Sequence, residues 1–128
     1  MSSHDLRPST ILLNEYNQLK LCDFGLARKT VDHINPSKDS YAKSKTGSPY
    51  YMAPELFQDD GVYSFASDMW SLGCVLFELT TGKPPFYSSS LQKLMNMIQN
   101  DQAPIHQISA SDNMKDIFTM LLQKDPLK

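Results

Sequence analysis

Ser67-Asp68-Met69-Trp70-Ser71-Leu72-Gly73-Cys74-Val75-Leu76-Phe77-Glu78-Leu79-Thr80-Thr81, followed by Gly82 and by Pro84-Pro85, decides the fold class of this chain. Phe65, Met69, Leu72, Leu76 and Leu79 fall on one stripe at helical spacing, and Ala66, Trp70, Cys74 and Phe77 widen it. A helix that is apolar around most of its circumference is a buried one, so the spacing predicts a central buried helix over 67–81. Gly82 stands where a left-handed cap closes a helix, and the prolines cannot continue it. Further on, Leu91, Leu94, Met95 and Ile98 form a second helical stripe, with serines upstream able to cap it. Met114, Ile117, Phe118, Leu121 and Leu122 form a third, with Ser109 or Ser111 as its cap and Asp125-Pro126 as its stop. Toward the N-terminus, Ile11-Leu12-Leu13 and Leu19-Lys20-Leu21 flank Asn14-Glu15-Tyr16-Asn17-Gln18, which reads as strand, turn and strand. The fold class is therefore mainly α with a small β-hairpin, an α+β arrangement.

Composition bounds the function classes. A chain of 128 residues can form one domain with a small core. Its 41% hydrophobic and 20% charged residues are ordinary for a globular protein, and a net charge of -2 gives no field that would draw nucleic acid or an anionic membrane. No apolar run approaches the ~20 residues needed to span a bilayer. Met1-Ser2-Ser3-His4-Asp5 lacks the apolar stretch of a signal peptide. Cys22 and Cys74 have no metal-like spacing, so a reducing, cytoplasmic setting is expected. Residues 29–45 are polar, contain Pro36 and lack periodicity; they read as a solvated loop of a length that is often functional. His33 and His106 sit in polar contexts and read as ordinary loop residues, and the methionines as packing residues.

Three short motifs carry the chemistry: Asp5-Leu6-Arg7-Pro8-Ser9-Thr10 before the hairpin, Asp23-Phe24-Gly25 after it, and Ala53-Pro54-Glu55 before the central helix. The hairpin would bring Asp5, at its entry, close to Asp23, at its exit. Each tripeptide alone is a weak signal, since Asp-x-Gly is a common turn; their order and spacing around the Trp70 helix carry the argument.

As a set, these motifs resemble the C-terminal lobe of a eukaryotic protein kinase of the Ser/Thr type. Gly47-Ser48-Pro49-Tyr50-Tyr51-Met52-Ala53-Pro54-Glu55 resembles the segment that receives the substrate peptide in those enzymes, and Gly82-Lys83-Pro84-Pro85-Phe86 resembles the loop after the central helix. Met52-Ala53-Pro54-Glu55-Leu56-Phe57-Gln58, Ser64-Phe65-Ala66-Ser67-Asp68 and Cys22 are most similar to the Fused/Runkel-type branch. The resemblance makes residues 1–128 a partial protein kinase domain, running from the catalytic loop through the activation segment to the late helices of that lobe, without the N-terminal lobe. It implies ATP and Mg2+ as cofactors of the intact parent, and a protein substrate or scaffold partner that the branch's links to microtubules, cytokinesis and cilia make cytoskeletal.

The resemblance also implies roles for individual residues. Asp5 would be the catalytic base that orients a substrate hydroxyl, and Arg7 would stabilise the transferred phosphoryl group where most Ser/Thr kinases place Lys. Asp23 would hold Mg2+, Thr10 would stand at the second metal position, and Leu12 would lie beneath the adenine ring. Ser48 would sit near Asp5 and position hydroxyl substrates, and Ser44 occupies the activating phosphorylation position. Asp68 would hold the catalytic loop by hydrogen bonds to its backbone, and Glu55 would be one half of a buried ion pair.

Several departures from the family pattern lower the activity to be expected. Ser3 and His4 replace the His and Arg of the catalytic loop; a His that is largely neutral at pH 7 is a poor partner for a phosphorylated Ser44. Thr10 replaces the Asn that binds the second Mg2+, which leaves a residual ligand role and a plain strand-entry role evenly matched. The glycine-rich loop, the strand lysine and its glutamate lie nowhere in the 128 residues, and the chain stops at Lys128, before the family's arginine partner for Glu55. An unpaired buried charge commonly costs ~3–5 kcal/mol. The chain accordingly reads as a part of a longer product, inactive by itself, with a pseudokinase or scaffold as the competing function and an unstable fragment as a third possibility.

Overall fold

The computed structural model describes residues 6–22, 49–58 and 63–127. The antiparallel hairpin is β1 (Ile11–Leu13) and β2 (Leu19–Leu21), with Ile11 opposite Leu21, Leu12 opposite Lys20 and Leu13 opposite Leu19. Asn14 organises its turn: the side-chain oxygen accepts from the backbone N–H groups of Tyr16, at 3.0 Å, and Gln18, at 2.8 Å. Asn17 takes the left-handed conformation, φ 57°, which asparagine tolerates better than most residues.

The helical body is α1 (Phe65–Thr81), α2 (Leu91–Asn100) and α3 (Asp112–Leu121). α1 begins two residues before the predicted start because Ser64 caps it. The Ser64 hydroxyl accepts from Ala66 N–H at 3.2 Å, while Ser67 Oγ accepts from Ser64 N–H at 3.1 Å. Gly82 ends it as predicted, in the left-handed region at φ 78°, with its N–H donating to Glu78 O at 2.7 Å. Ser90 caps α2, and Ser111, rather than Ser109, caps α3 by accepting from Met114 N–H at 3.3 Å.

The core lies between α1, α2, α3 and the short 3-10 turn Pro54–Phe57. It contains Ala53, Leu56, Trp70, Cys74, Phe77, Phe86, Leu94, Ile98, Phe118 and Leu122. Phe77 and Phe118 meet edge to face at 5.4 Å, and Trp70 and Phe86 stack at 6.0 Å. Gly73 lets α3 approach α1: a Cβ there would stand 2.9 Å from both Leu121 Cβ and Leu122 Cδ2.

The orientation of α1 differs from the sequence expectation. The predicted stripe faces outward in large part, with Phe65 57%, Met69 47% and Leu79 71% exposed. The residues that only widened it, Trp70, Cys74 and Phe77, point into the core together with Ser67, Ser71 and Gly73. Small and hydroxyl side chains on this face admit close packing, and each hydroxyl has a hydrogen-bond acceptor inside. A stripe drawn from side-chain hydrophobicity alone cannot register that.

Candidate functional site

The residues leading into the hairpin are fixed by a local device. The Thr10 hydroxyl donates to Arg7 O at 3.0 Å and accepts from Arg7 N–H at 3.2 Å, and Thr10 itself is buried. Thr10 N–H also donates to Arg7 O, at 2.9 Å, closing the 3-10 turn Pro8–Thr10. At the other end, Cys22 N–H donates to Thr10 O at 2.9 Å. Arg7, two residues after Asp5, and Cys22, next to Asp23, are thus tied through Thr10. Leu12 is 50% exposed on the hairpin face that also carries Lys20.

Residues 49–57 form a platform held on α1. Tyr51 O accepts from Ser71 Oγ at 2.8 Å, and the Tyr51 hydroxyl donates to Glu78 Oε2 at 2.6 Å. Burial raises the Tyr51 pKa, and the Glu78 carboxylate adds to the rise; the Arg7 guanidinium acts in the opposite direction. Tyr50 donates to Ser88 O at 3.1 Å and stacks on Tyr87 at 5.3 Å. Asp68 accepts a hydrogen bond from the Tyr63 hydroxyl at 2.7 Å, and burial and that bond together raise the Tyr63 pKa.

Glu55 corrects one expectation. It is half-buried rather than sealed in, and its carboxylate accepts from Ser67 Oγ at 2.6 Å. It also lines a cavity of about 160 Å³ with Met69, Trp70, Met120 and Asp125. The charge therefore has a hydrogen-bond donor and a route to solvent, which removes much of the penalty anticipated for an unpaired buried carboxylate.

Asp5, Asp23, Ser44 and Ser48 lie outside the described residues, as do Ser3, His4 and the 29–45 segment. Among the described residues no cluster of three His, Cys, Asp or Glu side chains is placed to hold a metal ion. Of the remaining candidates, the structure places Arg7, Thr10 and Leu12 on the hairpin and its entry, and Glu55 and Asp68 at the N-terminal end of α1. Sequence reasoning missed Ser67, Ser71, Tyr51 and Glu78 as the residues that hold the platform to α1. Ser64-x-x-Ser67 has the spacing of a capping box and could have been found; Ser71 and Glu78 carry no local signal, because their partners come from 20 and 27 residues away.

Comparison with known proteins agrees with this architecture. The protein kinase domain family model matches residues 2–128. The chain is 49% identical over 122 residues to the serine/threonine-protein kinase Runkel of Arabidopsis thaliana, covering 95% of this chain and 9% of that protein. It is 39% identical over 124 residues to the serine/threonine-protein kinase fused of Drosophila melanogaster, covering 95% and 14%. It is also 38% identical over 123 residues to the cytokinesis protein sepH of Aspergillus niger, covering 95% and 8%. The chain belongs to the protein kinase family, as part of a kinase domain of the Ser/Thr type similar to the Fused and Runkel branch. It spans less than a sixth of the length of each of these relatives. No described helix is long and apolar enough to cross a membrane.

Proposed function

We propose that this chain is the substrate-facing part of an ATP-dependent protein serine/threonine kinase, and that the 128 residues alone do not turn over substrate. Two observations carry this reading: the tie of Arg7 and Cys22 through Thr10, and a platform that α1 holds by Ser71 and Glu78. Chain connectivity keeps Asp5 within two residues of the first anchor and Asp23 next to the second, a span of at most ~8 Å and ~4 Å. In the intact parent, Asp5 would accept the proton of a substrate Ser or Thr hydroxyl, and Arg7 would offer positive charge to the phosphoryl group in transfer. Asp23 would hold Mg2+, an ion that supplies charge neutralisation on the nucleotide phosphates. Leu12 would give the adenine an apolar floor, Ser48 would position the substrate hydroxyl, and Ser44 would be a phosphorylation site without a strong switching effect, since His4 replaces its arginine partner. Asp68 would steady the catalytic loop, as Tyr63 steadies Asp68.

Positioning supplies most of the rate in phosphoryl transfer, and these residues provide one wall of a nucleotide site. In a Mg2+-ATP assay with a Ser/Thr peptide, the purified chain is expected to show no turnover; turnover abolished by Asp5→Ala would refute that. In a longer product carrying the upstream lobe, Asp5→Asn is expected to remove activity.

Thr10 favours a second reading, a pseudokinase or scaffold whose partner is a protein, in keeping with the cytokinesis role in the name of sepH. Its hydroxyl proton and one acceptor position are committed to the Arg7 backbone, which suits a structural hydroxyl better than a metal ligand. Mg2+-dependent ATP binding by the longer product, measured by calorimetry with and without Thr10→Asn, separates the two readings.

A further inference from the structure

Lys124 follows α3, and its ammonium turns inward. Nζ lies 4.3 Å from the ring centroid of Phe86 and 5.0 Å from that of Trp70. Those rings are parallel within 4°. Nζ also donates to the carbonyl of Ile98, in the last turn of α2, where carbonyls have no partner within the helix. One amine thereby joins the end of α3, the end of α2, the middle of α1 and the turn that carries Phe86. The same residue lines a cavity of about 190 Å³ with Gln102, Ala103, Ile105, Thr119 and Leu122. Desolvation holds its pKa down to about 8, against the opposing pull of Asp101 at the end of α2 and of Cys74 on α1.

The geometry points to Lys124 as an acylation site: an amine set against two aromatic rings, beside a cavity with room for a short acyl group, that accepts an acetyl group from a thioester. The amine lone pair attacks the thioester carbonyl carbon. The C–N bond forms, the C–S bond breaks, and the nitrogen gives up one proton to the departing thiolate, which leaves as a thiol. Nothing is oxidised or reduced. The product suits the site better than the substrate does. The amide keeps one N–H for the Ile98 carbonyl, discards the charge whose burial is unfavourable, and directs its own carbonyl and methyl toward a cavity of mixed lining, with Gln102, Thr119 and Gln123 beside Ala103, Ile105 and Leu122. An exposed lysine gains none of this.

Incubation of the 128-residue chain with S-acetyl-N-acetylcysteamine near neutral pH, followed by peptide mass spectrometry, tests the assignment. In native buffer Lys124 is expected to acetylate about tenfold faster than the exposed Lys20, Lys83 and Lys93, because its larger free-amine fraction outweighs its lower intrinsic nucleophilicity. In concentrated urea that preference should vanish. Equal or slower labelling of Lys124 in native buffer overturns the proposal, and so does a preference that survives urea, which would trace it to local sequence instead of to the fold. As a second readout, the Tm of the acetylated chain should rise relative to the untreated one, and no such rise should occur in Lys124→Gln. A fall in Tm that depends on Lys124 would show that the site does not accommodate the acyl group.

Discussion

The hairpin and the helical body are both rich in apolar residues, yet only the body builds a core. In β1 and β2, Leu13 is 66% and Leu19 69% exposed, while Trp70, Cys74 and Phe118 are at most 2% exposed. The difference is one of layers. A two-stranded hairpin offers one or two thin faces and is marginal without another element packed on it; α1 has α2, α3 and the 54–57 turn around it. The hairpin is held instead by polar means, through the Asn14 turn and the Thr10–Arg7 and Thr10–Cys22 bonds. Stability therefore resides in the body, and the proposed nucleotide floor rests on hydrogen bonds.

Several substitutions would break or sharpen that contrast. Phe118→Ala removes a fully buried ring that packs on Phe77 and should cost ~3–5 kcal/mol in urea unfolding. Gly73→Ala forces a methyl group onto Leu121 and Leu122 at 2.9 Å and should cost ~1–3 kcal/mol. Ser67→Ala deletes the donor to Glu55 and the acceptor for Ser64 N–H; a loss of ~1–2 kcal/mol is expected, most of it regained on returning Thr, which restores the hydroxyl.

Lys124→Met should change stability little at neutral pH, raising it by at most ~1 kcal/mol once solvent screening of a half-buried amine is allowed for. Its signature is the pH profile. Between about pH 8 and pH 10.5 the unfolded chain keeps a proton that the folded chain releases from Lys124, so stability rises with pH across that window. The Met variant should lose that rise; an unchanged slope would show that Lys124 is not its source. The smallest effect is assigned to the hairpin: Leu13→Ser with Leu19→Ser should shift unfolding by no more than ~0.5 kcal/mol. A loss comparable to that of Phe118→Ala would show that the hairpin shares the core after all.

The boundaries of the elements were legible because their signals are local. Ser90, Ser111, Gly82 and Asn14 each act within four residues of the group they satisfy. The facing of α1 was not, because apolar residues occupy most of its circumference and only the neighbours choose which ones are covered. The same holds at the candidate site. Arg7, Thr10 and Leu12 could be named from the resemblance to protein kinases, whereas the grip of Ser71 on Tyr51 and of Ser67 on Glu55 could not.

The amino-acid sequence by itself determined the family, the order of the elements and the residue types available for phosphoryl transfer, since each depends on short spacings along the chain. Tertiary structure decided which face of α1 is buried, that Glu55 is hydrogen-bonded and reachable by solvent, and that the Lys124 ammonium lies against the Trp70 and Phe86 rings. Those outcomes depend on which distant groups meet and how much water they exclude, and burial and electrostatic environment exist only once the elements have packed.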